Sequence, residues 1–211
     1  MSIILHILDV AETLVPYKKI ITETFDQTIA KITKILPVDQ VDVVIRDESA
    51  RTIPEIGLGG YAHGANFVTI SLDSKRDDCR QQIVHSLPNT LAHELHHAKR
   101  FQTVGYGKGL LGAMIFEGLA THFEQEVTGI VPPYAAVLKE KELEIWMQRA
   151  KKDFYKVHYD YYTWFFGSKE KKTPRWTGYA LGYKLVSDYL KKYPKMTAAQ
   201  LHGKKAEAFI V

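Results

Sequence analysis

The sequence predicts an α+β fold, mainly helical, in which a small N-terminal antiparallel strand pair or sheet packs on a histidine-bearing helix and a helical C-terminal part follows. Two observations support this prediction. β-Branched residues concentrate in two short runs before residue 75, and after Asp73 the apolar residues adopt a helical spacing. Strands followed by helices are typical of the α+β class.

The composition is that of an ordinary globular protein, with 211 residues, 45% hydrophobic and 25% charged. We expect residues 1–211 to form a single domain with three parts: a helix plus strands over 1–75, a helical region over 76–130 and a helical part over 131–211. No apolar run is long enough to span a membrane, and the start does not resemble a signal peptide. With Cys79 as the single cysteine, we expect a cytoplasmic protein.

The N-terminal part begins with an amphipathic helix predicted from about Thr13 to Leu36 and stopped by Pro37. Val41–Arg46 and Phe67–Leu72 are predicted strands, because each is short and rich in β-branched residues. The glycine-rich stretch 57–64 between them is interpreted as a loop or an irregular edge. The apolar face of the first helix comprises Ile21, Phe25, Ile29, Ile32 and Leu36.

Helical periodicity continues through the rest of the chain. Pro88 is suited to the first turn of a helix, so we expect one helix to end near Ser86 and another to begin at Pro88. The tract from Phe154 to Phe166 is rich in aromatic residues and is interpreted as core or as the lining of an apolar pocket. Helices are predicted over Asp77–Ser86, Pro88 to about Thr103, Leu111–Val127, Tyr134 to about Val157, Trp176–Leu190 and a short segment from Thr197.

The most informative motif is His93-Glu94-x-x-His97. On a helix, side chains at positions i and i+4 lie on one face with Cβ atoms about 5–6 Å apart, so both imidazoles can reach one metal ion. The carboxylate of Glu94 can reach a water molecule on that ion without ligating it, which suits a general base. The alternative is a helix with surface histidines.

A catalytic zinc site needs three protein ligands and one open position. Glu117 is the predicted third ligand, because it lies at the rim of a buried apolar stripe, where a carboxylate is costly unless it is paired or bound to metal. Gly118 lets another helix approach closely. Glu124 and His122 remain alternatives as the third ligand.

The motif His93-Glu94-x-x-His97, followed by Glu117-Gly118-Leu119-Ala120 and by Gly178-Tyr179-Ala180-Leu181-Gly182-Tyr183, resembles the gluzincin branch of zinc metallopeptidases. More narrowly, it resembles a bacterial family of uncharacterised domains described as predicted Zn-dependent proteases. The resemblance covers about residues 57–186. It implies that His93, His97 and Glu117 bind Zn²⁺ and that Glu94 is the general base.

The resemblance also implies a strand that binds extended substrate, here Ala65–Leu72, with Gly59 and Gly60 allowing close approach of the backbones. Gluzincins often carry an acidic residue four positions after the ligand glutamate, where it supports a zinc histidine. This chain has Thr121 at that position, so another carboxylate or the threonine hydroxyl would have to take this role.

Hydrolysis through a tetrahedral intermediate also requires a hydrogen-bond donor to the developing oxyanion. Tyr179 and Tyr183, four residues apart on one predicted helix, are the candidates, and His158 and Arg175 are alternatives. Core packing is the competing interpretation of the two tyrosines.

We therefore expect a zinc-dependent metallopeptidase acting on a peptide or protein. The alternatives are a non-catalytic zinc-containing binding protein and a zinc hydrolase of a non-peptide amide. Residues 139–211 hold 16 lysines and arginines against 8 acidic residues, a net charge of +8, whereas residues 1–138 hold 12 against 16. We interpret this asymmetry as solvated helix faces and expect no nucleic-acid partner. The oligomeric state is open.

Overall fold

The computed structural model describes residues 2–210 and contains a four-stranded mixed sheet and six α-helices within that range. Two compact units follow each other along the chain, and the first ends at Gln102. That boundary lies inside the predicted region 76–130, and the single-domain organisation stays a prediction. None of the helices between residues 2 and 210 is both long and apolar enough to cross a bilayer.

The first unit consists of the sheet and two long helices. Strands β1, β2 and β4 run parallel to one another, and β3 pairs antiparallel with β4 at one edge, in the order β1-β2-β4-β3. The elements are β1 (Ile3–Leu8), α1 (Lys18–Ile35), β2 (Val41–Asp47), β3 (Leu58–Ala62), β4 (Phe67–Leu72) and α2 (Cys79–Phe101).

The predicted antiparallel strand pair is wrong in its direction. The two predicted strands do pair, but as parallel neighbours, with Asp42 opposite Phe67 and Asp47 opposite Leu72. Parallel neighbours require a long crossover connection. The segment between β2 and β4 supplies it, and its last part returns as β3, which reaches β4 through a short turn and is therefore the antiparallel partner.

β3 forms an edge of the sheet, whereas β4 lies between β2 and β3. Both sides of β4 are thus paired, and the expectation that Ala65–Leu72 is the strand that receives substrate is wrong. Part of the glycine-rich stretch forms β3 and is the edge strand. The N–H of His63 donates to the Phe67 carbonyl at 2.9 Å, so by alternation the N–H and C=O groups of Gly60 and Ala62 point away from β4.

Helix α2 runs without a break from Cys79 to Phe101 and contains Pro88, so the prediction of two helices separated at this proline is wrong. A proline inside a helix removes one backbone N–H donor and crowds the preceding turn. The carbonyl that loses its N–H donor is that of Val84. Two neighbouring side chains donate to the next two carbonyls of the helix. Asn89 Nδ2 donates to the His85 carbonyl at 3.0 Å, and Thr90 Oγ1 donates to the Ser86 carbonyl at 3.0 Å.

One face of the sheet packs against α1 and α2 and forms the core of the first unit. Alternate residues of β2 and β4 are buried there, as expected for strands whose side chains point to opposite faces. Helices α1 and α2 contribute their apolar stripes to the same core. Burial of the apolar stripe of α2 determines which of its side chains face the core. The core residues include Val43, Ile45, Val68, Ile70, Ile21, Phe25, Ile83, Leu87 and Leu91.

The second unit is helical and comprises α3 (Gly109–Thr128), α4 (Glu140–Lys151), α5 (Tyr161–Phe166) and α6 (Thr177–Lys192). The helix predicted from Tyr134 to about Val157 is therefore too long at both ends. Tyr134 lies in a separate turn of 3₁₀ helix, and α4 begins after Lys139, whose N–H donates to a Glu142 carboxylate oxygen at 2.8 Å. This local cap competes with a longer helix and sets its start.

Helices α3 and α6 cross at two glycines. A Cβ atom added to Gly118 would lie 2.3 Å from the Gly182 carbonyl oxygen, and one added to Gly182 would lie 2.0 Å from the Met114 carbonyl oxygen. No side chain fits at either position without moving a helix. The prediction that Gly118 permits a close helix approach is confirmed.

Candidate metal centre

His93 and His97 lie one turn apart on the buried face of α2, where they are 8% and 5% exposed. Their ring centroids are 4.4 Å apart and the rings are nearly perpendicular, at 88°. Glu117, on α3, is 5% exposed. The candidate ligand atoms of these three residues all lie within 4.8 Å of one another, so the group could hold one metal ion.

The donor atoms of this group suit zinc. Two imidazole nitrogens and one carboxylate oxygen are a common protein ligand set of catalytic zinc sites, in which the fourth position stays open for water or substrate. Imidazole favours zinc, copper, iron and nickel over calcium and magnesium, whose preferred ligands are oxygens.

Glu94, next to His93 on α2, is 6% exposed and lies against the edge strand β3. A Cβ atom added to Gly60 would lie 2.5 Å from Glu94 Oε1 and 2.6 Å from its Cγ. Glycine at position 60 therefore leaves the space that the Glu94 side chain occupies.

Three tyrosines belong to the electrostatic surroundings of Glu117. Burial raises the pKa of the hydroxyls of Tyr106, Tyr134 and Tyr159, and the negative charge of Glu117 raises each of them further. Tyr106 and Tyr159 also lie close enough for each hydroxyl to shift the pKa of the other. All three therefore remain protonated O–H donors across the physiological pH range.

The sequence alone does not single out these three tyrosines. Tyr159 belongs to the aromatic tract that was interpreted as core or pocket lining, Tyr106 follows a glycine in a connector and Tyr134 follows two prolines. None of them has a periodic or motif-like relation to the metal-binding residues. Their relation to Glu117 depends on tertiary packing.

The two tyrosines selected from the sequence have different surroundings. The Tyr179 ring lies 5.2 Å from the Tyr134 ring and 5.3 Å from the Phe165 ring, measured between centroids. The Tyr183 hydroxyl donates to Gln125 Oε1 at 2.6 Å. Tyr179 thus adjoins one of the tyrosines around Glu117, whereas the hydroxyl of Tyr183 is directed at Gln125.

The alternative third ligands have other contacts and do not belong to the three-residue metal-binding group. The Glu124 carboxylate accepts a hydrogen bond from the Tyr134 hydroxyl. His122 Nε2 lies 3.0 Å from both the Tyr183 carbonyl oxygen and Ser187 Oγ. Thr121, in place of the usual acidic residue, donates its hydroxyl to the Glu117 carbonyl oxygen at 2.8 Å.

The remaining histidines singled out by position also differ in their surroundings. His96, between His93 and His97, is completely buried, and His158 is exposed. His63 stacks on Phe67 with 4.6 Å between ring centroids. The alternative oxyanion donor Arg175 is exposed, with its guanidinium 4.3 Å from the centroid of the Trp176 ring.

His122 makes the free energy of unfolding depend on pH. Burial lowers its pKa to about 4, against 6.5 for the free side chain. The unfolded chain therefore binds a proton that the folded chain does not, and the stabilisation present above pH 6.5 is lost as the pH falls toward 4. We expect a loss of about 2 kcal/mol between pH 7 and pH 5 from this group.

Urea unfolding at pH 7 and pH 5 measures this effect, with His122→Asn as the comparison. The variant lacks the titrating imidazole, so its free energy of unfolding is expected to fall less between the two pH values. An equal fall in both proteins would contradict the assignment, because all other titrating groups are shared.

A protein-family model described as "Predicted Zn-dependent protease (DUF2268)" matches residues 20–211, which is more than half of the chain. No curated protein and no solved structure matches the chain.

Proposed function

The chain belongs to the DUF2268 family of predicted Zn-dependent proteases, and on that premise we propose that it is a zinc-dependent peptidase of the gluzincin type. The buried group His93, His97 and Glu117, with ligand atoms within 4.8 Å of one another, carries the proposal. Glu94 adjoins this group in the sequence, and a purely structural metal site would not require a carboxylate there.

Zinc bound by these residues would lower the pKa of a coordinated water molecule to about 7 and polarise the scissile carbonyl group. In the proposal, Glu94 accepts the proton of the attacking water and transfers it to the leaving amine. The restricted exposure of Glu94 and its packing against Gly60 support this role, because they limit the positions open to the carboxylate.

The developing oxyanion requires an O–H or N–H donor in addition to the metal. We assign this role first to Tyr106 and Tyr159, since each remains protonated at neutral pH. Tyr134 is a weaker candidate because its hydroxyl already donates to the Glu124 carboxylate. Tyr179 stays a candidate through its contact with Tyr134. Tyr183 is the weaker candidate because its hydroxyl already donates to Gln125.

The peptide substrate is proposed to add an extended strand to β3. The outward N–H and C=O groups of Gly60 and Ala62 offer main-chain hydrogen bonds to a peptide at that edge. Gly60 also contacts Glu94, so a peptide on this edge would run past the general base. Main-chain recognition of this kind is compatible with many side chains.

Hydrolysis of a peptide library by the purified full-length chain tests the proposed function. We expect cleavage that stops when a zinc chelator such as 1,10-phenanthroline is added and returns when the chelator is removed and zinc is restored. Cleavage that survives complete removal of zinc would contradict the proposal. A chain that binds one zinc ion but cleaves no peptide would instead support a non-catalytic zinc-containing binding protein.

A further inference from the structure

Two neighbouring clefts open on the second unit, lined by residues from 146 to 175. The first has a volume of about 450 Å³ and is lined in part by Phe166 and the loop that follows it. The second has a volume of about 360 Å³ and lies beside α4. Thr173 lines both, so they are adjacent, and we call them the basic clefts. Their charged side chains are Lys169, Lys172 and Arg175 in the first and Arg149, Lys152, Asp153, Lys156, Asp160 and Lys171 in the second.

The basic clefts carry uncompensated positive charge. Residues 149–175 contain eight lysines and arginines against three acidic residues, a net charge of +5. Two of the acidic residues already have cationic partners: Asp153 binds Lys156 at 2.6 Å and Asp160 binds Lys171 at 2.7 Å. Its hydrogen bond with Lys171, and to a smaller extent those from Thr163, hold the pKa of Asp160 far below its ordinary value. This carboxylate therefore stays ionised and paired with Lys171.

Besides Lys156, Lys171 and Arg175, the clefts hold four exposed cations. Within residues 2–210, no carboxylate forms an ion pair with Arg149, Lys152, Lys169 or Lys172. Like charges gathered on one surface repel one another and attract an anion from solution. The favoured occupant of the basic clefts is therefore anionic.

The aromatic residues of the clefts narrow the class of ligand. Arg149 lies over Trp146, with 4.6 Å between its guanidinium carbon and the ring centroid, and Trp164 is only 7% exposed. The indole rings are therefore poorly placed as platforms on which nucleic-acid bases could stack. A guanidinium that lies over a ring can still offer N–H groups to a carboxylate, which it can bind with two parallel hydrogen bonds.

Phe166 adds an apolar contact to the first cleft. Its side chain is 50% exposed and lies beside Lys169 and Lys172. A ligand that fills both clefts would therefore carry several negative charges and at least one apolar group. An extended acidic polypeptide segment with an apolar side chain has this composition, and its carboxylates repeat along a flexible backbone.

We propose that the basic clefts bind an acidic, extended polypeptide segment that carries an apolar residue. Binding here is independent of the peptidase chemistry, because none of the cleft residues belongs to the metal-binding group. The site would give the chain a preference for acidic proteins, whether as substrates or as partners.

Fluorescence anisotropy with a labelled peptide, Glu-Glu-Glu-Leu-Glu-Glu-Glu, tests the proposal on the full-length chain. We expect saturable binding that weakens as salt is raised from 50 to 200 mM, because exposed charge pairs are screened. The double variant Lys152→Glu/Lys169→Glu removes one cation from each cleft and is expected to raise Kd by about tenfold or more. The matched control, Lys31→Glu/Lys34→Glu on α1, makes the same change in net charge on exposed lysines and is expected to leave Kd within about twofold.

Phe166→Ser separates the apolar contact from the charge. This variant is expected to weaken binding of the leucine-containing peptide by about fivefold and to leave an all-glutamate peptide unaffected. Equal effects of the cleft and control double variants would overturn the proposal, as would the absence of peptide binding at low salt. Tighter binding of a single-stranded oligonucleotide or of anionic lipid vesicles, lost in Lys152→Glu/Lys169→Glu, would assign the clefts to those ligands instead.

Discussion

Glu94→Gln is expected to retain zinc and to lower kcat on a cleaved peptide by about 10²–10⁴-fold, the contribution of a positioned general base. Glutamine matches glutamate in size and fills the same space beside Gly60. Its amide cannot accept the proton of the attacking water at neutral pH. The variant thus removes proton transfer and leaves the packing of α2 on β3 unchanged.

The measurement is kcat on one peptide taken from the library, with zinc content and thermal midpoint recorded for each protein. Glu144→Gln is the matched control, because Glu144 is an exposed residue of α4 and the same substitution there removes one carboxylate from the surface. The control should keep the turnover of the parent. If Glu94→Gln kept the turnover of the parent, Glu94 would not be the general base. If this variant lost zinc, Glu94 would instead be a metal ligand.

The features of the candidate metal centre that the sequence predicts are those that depend on local helical geometry. His93 and His97 need only the i, i+4 spacing of one helix to share a face. Glu117 was recognised from a buried stripe and a neighbouring glycine, and Gly118 does lie at a close helix crossing. In each case a periodicity of 3.6 residues determines which side chains share a face, and no distant contact has to be known.

The errors occurred where distant segments compete. Strand β1 is an apolar segment interrupted only by His6 and without regular alternation, and β3 is rich in glycine, so neither has a strong strand signal by itself. Pairing with β2 and β4 makes them strands. The direction of pairing between β2 and β4 is likewise set by the crossover between them.

The tyrosines around Glu117 were missed for a related reason. Tyr106 and Tyr159 lie in connectors far apart in the sequence, and only folding brings them near each other. Aromatic residues in such segments are common in cores and have no spacing that indicates hydrogen bonding to a site. Donors to a reacting group are therefore harder to predict from one sequence than the ligands on a helix.

Glu117→Ala is expected to purify without zinc under conditions in which the parent retains about one zinc ion per chain. Removing one of three protein ligands should cost more than the 10–100-fold loss of metal affinity typical of changes in the residues that only support ligands. Elemental analysis after dialysis against a weak chelator measures the zinc content. The thermal midpoint gives an independent readout, because zinc that binds only the folded chain adds about 4 kcal/mol of stability at a concentration of 1,000 times Kd.

Glu124→Gln is the control that distinguishes the two carboxylates of α3. Glu124 is buried, like Glu117, and accepts a hydrogen bond from Tyr134, so this substitution tests the general cost of changing a buried carboxylate on the same helix. It should keep zinc and the zinc-dependent rise in thermal midpoint, whereas Glu117→Ala should lose both. If Glu124→Gln lost zinc while Glu117→Ala retained it, the third ligand would be Glu124. If the parent and both variants lacked zinc after reconstitution, the His-Glu-x-x-His motif would not mark a zinc site. The proposed zinc-dependent peptidase activity would then be wrong.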